Sequence, residues 1–187
     1  WAAHRDDLEM AKLLIEAGAN VNVSNDYGIT PLSLAGTNGS SRMVRGLLQA
    51  GADPNATRET GESVIMTISR TGNLEAVKTL LAYEPDLNQP ENRRGHTALM
   101  LAIEQGHSQV AKLLIERGAD VNARSNTNFT PLLFAAQRND LDSVQALLAA
   151  GAELDGLTPE WGSALVLAAA RGHEDLALLL LEEGADP

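Results

Sequence analysis

The chain has no cysteine, which excludes disulfide scaffolds, thiolate metal sites and cysteine nucleophiles. It says nothing about compartment, so cytoplasm, periplasm and secretion all stay open. Aromatic residues are scarce, with two each of Trp, Tyr and Phe, and the places where they fall are therefore informative. Positive charge is in deficit. Lys and Arg number 14 against 25 Asp and Glu, a net charge of −11. That balance argues against general nucleic-acid binding, which relies on Lys and Arg to neutralise phosphates. No apolar run approaches the roughly 18 residues of a transmembrane helix, and the stretch from Leu176 to Leu181 is about a third of that. No signal peptide is visible, but the chain opens in the middle of a repeat, so the expectation is that the true N-terminus lies upstream.

What is present is a repeat. Apolar residues make up 44% of the 187 positions, too many for a disordered chain and enough for one domain or one elongated array. Gly18-Ala19-Asn20, Gly51-Ala52-Asp53, Gly118-Ala119-Asp120, Gly151-Ala152-Glu153 and Gly184-Ala185-Asp186 mark one position, with Glu84-Pro85-Asp86 filling the gap. The steps are 33, 33, 34, 33 and 33 residues, a period that signals a stacked architecture. A second landmark keeps the same beat: Thr30-Pro31-Leu32, Ser63-Val64-Ile65, Thr97-Ala98-Leu99, Thr130-Pro131-Leu132 and Ser163-Ala164-Leu165. Each reads as a helix start, with Ser or Thr capping amide donors and Pro suited to the first helical position. A polar break follows each short apolar helix, at Asp7, Ser40, Asn73, His107, Asp140 and His173. Four of these six are strong N-caps for a second, amphipathic helix. That helix ends at the repeated Gly, which readily takes the left-handed conformation favoured at helix C-termini.

These residues resemble the ankyrin repeat over essentially the whole chain. Gly106-His107, then Val110-Ala111-Lys112-Leu113-Leu114, then Gly118-Ala119-Asp120-Val121-Asn122-Ala123 is close to that family's pattern. The resemblance implies an all-α solenoid of antiparallel helix pairs joined by β-turn or hairpin loops, with a concave face that usually binds protein partners. The units fall at 1–23 (partial), 24–56, 57–89 (irregular), 90–123, 124–155 and 156–187. One departure is systematic. The family usually places His after Thr-Pro-Leu, where these units carry Ser33, Met66, Met100, Leu133 and Val166. The inter-repeat bonds of that His should be largely missing, leaving more weight on apolar packing. The alanine-rich, cysteine-free units look like bacterial ankyrin arrays.

Three places break the regularity. Trp1 occupies the register of Leu34, Leu101, Phe134 and Leu167, so a core role is expected for it. The last unit has Leu178 where Lys12, Arg45, Lys78 and Lys112 stand earlier, although terminal repeats normally present a polar outer face. The expectation is a fragment of a longer protein, or ends covered by a neighbour. In the third unit Thr67-Ile68-Ser69 replaces the usual packing trio, Glu84 stands where Gly is wanted, and one residue is inserted between Leu87 and Gly95. A non-Gly residue at positive φ costs roughly 1 kcal/mol. Drift at a tolerant loop and a local hinge or binding bulge are both consistent with this. A hinge predicts early hydrogen exchange in 80–95.

No catalytic constellation stands out. His107 and His173 start second helices, while His4 and His96 belong to different repeats and have no ligand-spaced partner. HExxH pairs, phosphate-cradling Gly loops and nucleophile elbows are missing. The expectation is therefore no enzyme activity, no cofactor and no metal.

The resemblance places a partner on the turn tips and first helices. The tips contribute Asp26, Tyr27, Ile29, Glu59, Thr60, Glu62, Arg93, Arg94, His96, Asn126, Thr127, Phe129, Glu160 and Trp161. From this face the candidate contacts are Tyr27, Ile29, Arg70, Arg93, Arg94, His96, Phe129, Arg138, Trp161 and Arg171. Tyr27, Phe129 and Trp161 sit at tips where no core calls for them, and exposed aromatics and Arg are the residue types enriched in hot spots. Packing on a neighbouring tip is the alternative. Six arginines here (5, 70, 93, 94, 138 and 171) oppose five carboxylates (26, 59, 62, 104 and 160), while all three lysines lie on second helices. Arg forms bidentate contacts with carboxylates that Lys cannot, so the expected partner is a protein segment with acidic and apolar side chains. The leading function is a protein–protein interaction scaffold. The alternatives are a regulatory or targeting domain of a larger enzyme or effector, and a self-associating array stacked end to end.

Overall fold

The computed structural model describes residues 1–156, 158 and 161–187, and among these it contains twelve helices in six pairs. The first helices of the pairs are α1 (Ala2–Arg5), α3 (Pro31–Thr37), α5 (Val64–Thr71), α7 (Ala98–Glu104), α9 (Pro131–Arg138) and α11 (Ala164–Ala170). The second helices are α2 (Leu8–Glu16), α4 (Ser41–Gln49), α6 (Leu74–Leu81), α8 (Ser108–Glu116), α10 (Leu141–Ala149) and α12 (Glu174–Glu182). Helices this short are not stable alone and depend on packing of an apolar face. Each first helix lies against the next from α1 to α11, and the second helices pack likewise from α2 to α10. The core is therefore a continuous ribbon between two rows, including Leu32, Ile65, Leu99, Leu132 and Leu165 of the first helices and Leu47, Leu80, Leu114, Leu147 and Leu180 of the second.

Local chemistry sets the helix boundaries. Thr30, Thr97, Thr130 and Ser163 each accept the amide three residues on. So do Asp7, Ser40, Asn73 and Asp140 at the second helices, whereas His107 and His173 make no such side-chain cap. These two rings instead reach the preceding repeat: His107 Nε2 is 3.1 Å from the Arg70 carbonyl and His173 Nδ1 is 3.1 Å from that of Ala136. Ser33 closes a capping box with Thr30. Met66, Met100 and Leu133 are buried in the apolar core, with no polar atom to replace the missing His.

Packing does not carry the inter-repeat contact alone. A ladder of side chains joins the loops after the second helices: Asn22, Asn55, Asn88, Asn122 and Asp155 accept the amides of Asp53, Asp86, Asp120, Glu153 and Asp186 at 2.7–3.2 Å. Each bond ties one unit to the next, so polar contacts make up for part of the missing His network.

In the third unit the left-handed conformation expected where Glu84 replaces Gly is present. Glu84 has φ 50°, whereas Gly51 and Gly118, before and after it, sit at 87° and 90°. Ser69, fully buried on α5, has a hydroxyl with no hydrogen-bond partner. Glu84→Gly should therefore stabilise the array by about 1 kcal/mol, raising Tm by about 2–4 °C. Calorimetry on the single variant checks this.

Trp1 corrects the expectation of a core residue. It is 91% exposed, whereas Leu101 at the same register is fully buried. Leu101 lies on α7, which packs between α5 and α9, whereas among the described residues the main packing of α1 is against α3 and α2. At the other end Val166, Leu178 and Leu181 are exposed. No helix among the described residues is long and apolar enough to cross a membrane.

Candidate functional site

The loops between pairs form fingers, and the backbone links them tip to tip. Glu59 N–H donates to the Tyr27 carbonyl, Asn92 N–H to Thr60 and Asn126 N–H to Arg94, at 2.8–3.2 Å. These four fingers therefore lie side by side on one flank of the stack, continuous with the first-helix row. Side chains from distant units become neighbours there.

Four finger turns are tied by a side-chain acceptor at a constant register, whereas the second finger carries Arg58 there, whose side chain donates to Glu62 and Thr37 instead. Asn25 Oδ1 accepts from the amides of Tyr27 and Ile29, and Ser125 Oγ from those of Thr127 and Phe129. Thr158 Oγ1 accepts from Trp161. In the fourth unit the Glu91 carboxylate takes the amides of Arg93, Arg94 and His96. Partial burial pushes the Glu91 carboxyl up, but those three donors, with His96, outweigh it and hold its pKa below the usual value. None of these four acceptors was singled out from the sequence. The signal was there: Asn and Ser are turn formers that bond their own backbone two residues on.

The ten candidate residues divide by position in the finger. Tyr27 and Trp161, at the outer tip, are 68% and 48% exposed. Phe129 is only 8% exposed and His96 5%, which overturns the reading of Phe129 as an exposed tip aromatic. Both lie immediately before a helix cap, and that register turns the side chain inward, towards the first helices. The Phe134 ring receives both edge-on, His96 at 5.0 Å and Phe129 at 5.1 Å between centroids. Ile29, at the same register, is half-buried.

The arginines also divide. Arg70 Nη2 lies 2.9 Å from Glu62 Oε1, and Arg58 holds the other oxygen of the same carboxylate at 3.1 Å. Arg94 pairs with Glu104 at 3.2 Å. Arg138 donates to the Glu104 backbone carbonyl at 2.9 Å. Arg93 and Arg171 are exposed, and neither forms an ion pair among the described residues. Of the other tip carboxylates, Asp26 and Glu59 are exposed, and Glu160 lies outside the described residues.

His96 makes this face sensitive to pH. Burial, then the charge of Arg94, lowers its pKa below 6.5, against the pull of Glu104 and Glu91. Its Nδ1 is 3.8 Å from Glu104 and has no hydrogen-bond partner among the described residues. The folded state thus binds this proton less readily than the unfolded chain. The stability from neutral His96 is complete above pH 6.5 and is lost as pH falls from there through the folded-state pKa. His96→Phe should flatten the stability profile in that window, as chemical denaturation at a series of pH values would show.

Among the described residues no three His, Asp or Glu side chains are placed to hold a metal ion. The face offers fixed guanidinium groups, a few exposed aromatic tips and a ribbon of shaped backbone.

Comparison with known proteins agrees with this geometry. A stretch of 34 residues is 56% identical to Protein fem-1 homolog A-like of Mus musculus, covering 18% of this chain and 5% of that protein. The chain thus spans a small part of the relative's length, and that relative, being mammalian, lends nothing to the bacterial type expected above. The family model described as Ankyrin repeats (3 copies) matches residues 1–58, 50–125 and 121–187, which together cover the whole length. The chain belongs to the ankyrin repeat family.

Proposed function

We propose that this array is a protein–protein interaction module that holds a partner segment along its fingers and first helices. Ankyrin repeats generally mediate protein–protein interaction, and the observation that carries the finer reading is the distribution of charge. In a chain of net charge −11, Arg93, Arg138 and Arg171 stand on this face without an ion pair among the described residues, beside the paired Arg70 and Arg94, while the three lysines, with Arg42 and Arg45, lie on second helices. Exposed Tyr27 and Trp161 flank the arginines. Fixed Arg forks and rigid aromatics are the groups that concentrate binding energy, so the partner carries acidic and apolar side chains. The face works by shape and charge rather than by chemistry on a substrate.

A second reading has the array as the recognition part of a larger protein, since the relative it matches is far longer than the matched segment. The two share one surface. A photo-cross-linking residue placed at Tyr27 or Gln137, and at Arg45 or Lys78 on the opposite row, tests it in cells of the source organism. The finger-side positions should yield one discrete protein adduct and the second-helix positions none. Adducts only from Arg45 or Lys78 would contradict the assignment.

A further inference from the structure

The C-terminal ends of α7, α9 and α11 border a shallow, half-open recess of about 420 Å³ lined by Glu104, Phe134, Gln137, Arg138 and Arg171. Glu104 is already answered by Arg94 at 3.2 Å, so the recess is left with the two positive charges of Arg138 and Arg171. Arg138 is fixed in place. Its Nη1 donates to the Glu104 carbonyl at 2.9 Å, and its Nη2 lies over Gly106, where a Cβ would come within 2.9 Å of it. A guanidinium held in this way can offer its remaining N–H groups with little further ordering cost. Arg171, one unit on at the equivalent register, is exposed and has no ion partner among the described residues. Phe134 adds an apolar patch to the wall with the 7% of its surface that stays open.

Both arginines end helices, where a cation favours the carbonyl dipole. That explains their presence on each helix separately. Their equivalent register on adjacent first helices then brings the two guanidinium groups to one recess, beside the small open edge of Phe134.

We infer that the recess seats a carboxylate side chain of the partner segment between Arg138 and Arg171, with an apolar neighbour in that segment covering Phe134. This rests on the protein-interaction reading above and assigns its acidic contact to one place. A carboxylate accepts paired N–H donors from guanidinium forks. A nucleic acid binds through many phosphate contacts, whereas this recess offers only the guanidinium groups of Arg138 and Arg171.

The test uses the full chain labelled with ¹⁵N-arginine, following each Nε–H signal as the peptide acetyl-Leu-Glu-Leu-Glu-Leu-amide is added. The Arg138 and Arg171 signals should shift saturably while those of Arg42 and Arg45 on α4 stay still. Replacing the peptide's Glu by Gln, or the protein's Arg171→Gln, should weaken binding by about tenfold or more, and Arg171→Lys should recover only part of it. Arg171 is exposed, so an unchanged thermal midpoint will show that these variants fold. Three results overturn the inference: all arginines moving together without saturation, inorganic phosphate competing as well as the peptide, or Arg171→Gln binding like the parent. If a finger-side cross-linked partner still binds Arg171→Gln at full strength, this seat is wrong while the interaction reading stands.

Discussion

Leu114→Ala should destabilise the array by about 3 kcal/mol, whereas the same change at Leu14 should cost about 1 kcal/mol or less. The two leucines are equivalent in register, three units apart. Leu114 has no exposed surface, and Leu47, Leu80, Leu147 and Leu180 at the same place are 4% exposed or less, yet Leu14 is 46% exposed. The position faces the preceding repeat: Leu47 of α4 shares a groove with Leu8, Ala11 and Ile15 of α2, and among the described residues α4 is the one second helix packed on α2. Truncating Leu114 therefore loses the transfer energy of the removed atoms and leaves a cavity in an interface. At Leu14 part of that surface is already in water. Because stability in a stacked array is a sum of unit and interface terms, the central variant should also lose cooperativity in urea unfolding. Equal losses at the two sites would mean that the register does not define the interface.

Gly28→Ala should cost about 3 kcal/mol, against about 1 kcal/mol for Gly118→Ala. Both glycines have positive φ, +72° and +90°, so both variants bear the left-handed penalty. They differ in what a Cβ would meet. At Gly118 nothing lies within 4 Å, but at Gly28 the new atom would be 2.9 Å from the Thr57 carbonyl oxygen and 3.0 Å from Arg58 Cα. These are backbone atoms of the next finger and cannot rotate away. The second finger must move, and the bond from Glu59 N–H to the Tyr27 carbonyl is strained with it. Gly28→Ala should thus speed hydrogen exchange at the Glu59 amide as well as lower the unfolding midpoint. A penalty at Gly28 no larger than at Gly118 would show that the fingers are not held tip to tip.

The parts of the structure legible in the sequence are those set by local chemistry on a known register. Asp7, Ser40, Asn73 and Asp140 were readable as caps because a side-chain oxygen three residues before an orphan amide has little else to do. Glu84 was readable as a left-handed residue because its counterparts in neighbouring units are Gly. Less legible was anything decided by the neighbouring unit. Periodicity places Phe129 and His96 in a finger, but their direction depends on Phe134 and on the helix behind it. Trp1 has the register of a core residue, but its burial depends on a unit on its other side, which the described residues do not include. The ladder through Asn22, Asn55, Asn88, Asn122 and Asp155 was likewise hidden, since each rung is completed by an amide 31 or 32 residues further on. On the binding face, the sequence places the arginines but not their partners. Arg70 and Arg94 turn out to be ion-paired in place, and Arg138 is pinned to a helix end.

The most direct test of the account is the affinity of the cross-linked partner, measured by calorimetry, for two double variants. Arg93→Ala with Arg94→Ala removes two guanidinium groups from the finger face, and Lys78→Ala with Lys112→Ala removes two ammonium groups from the second-helix row. The account predicts that the arginine pair weakens binding by about tenfold or more while the lysine pair leaves it unchanged. Undiminished affinity in the arginine variant would contradict the assignment of the finger face as the surface that holds the partner.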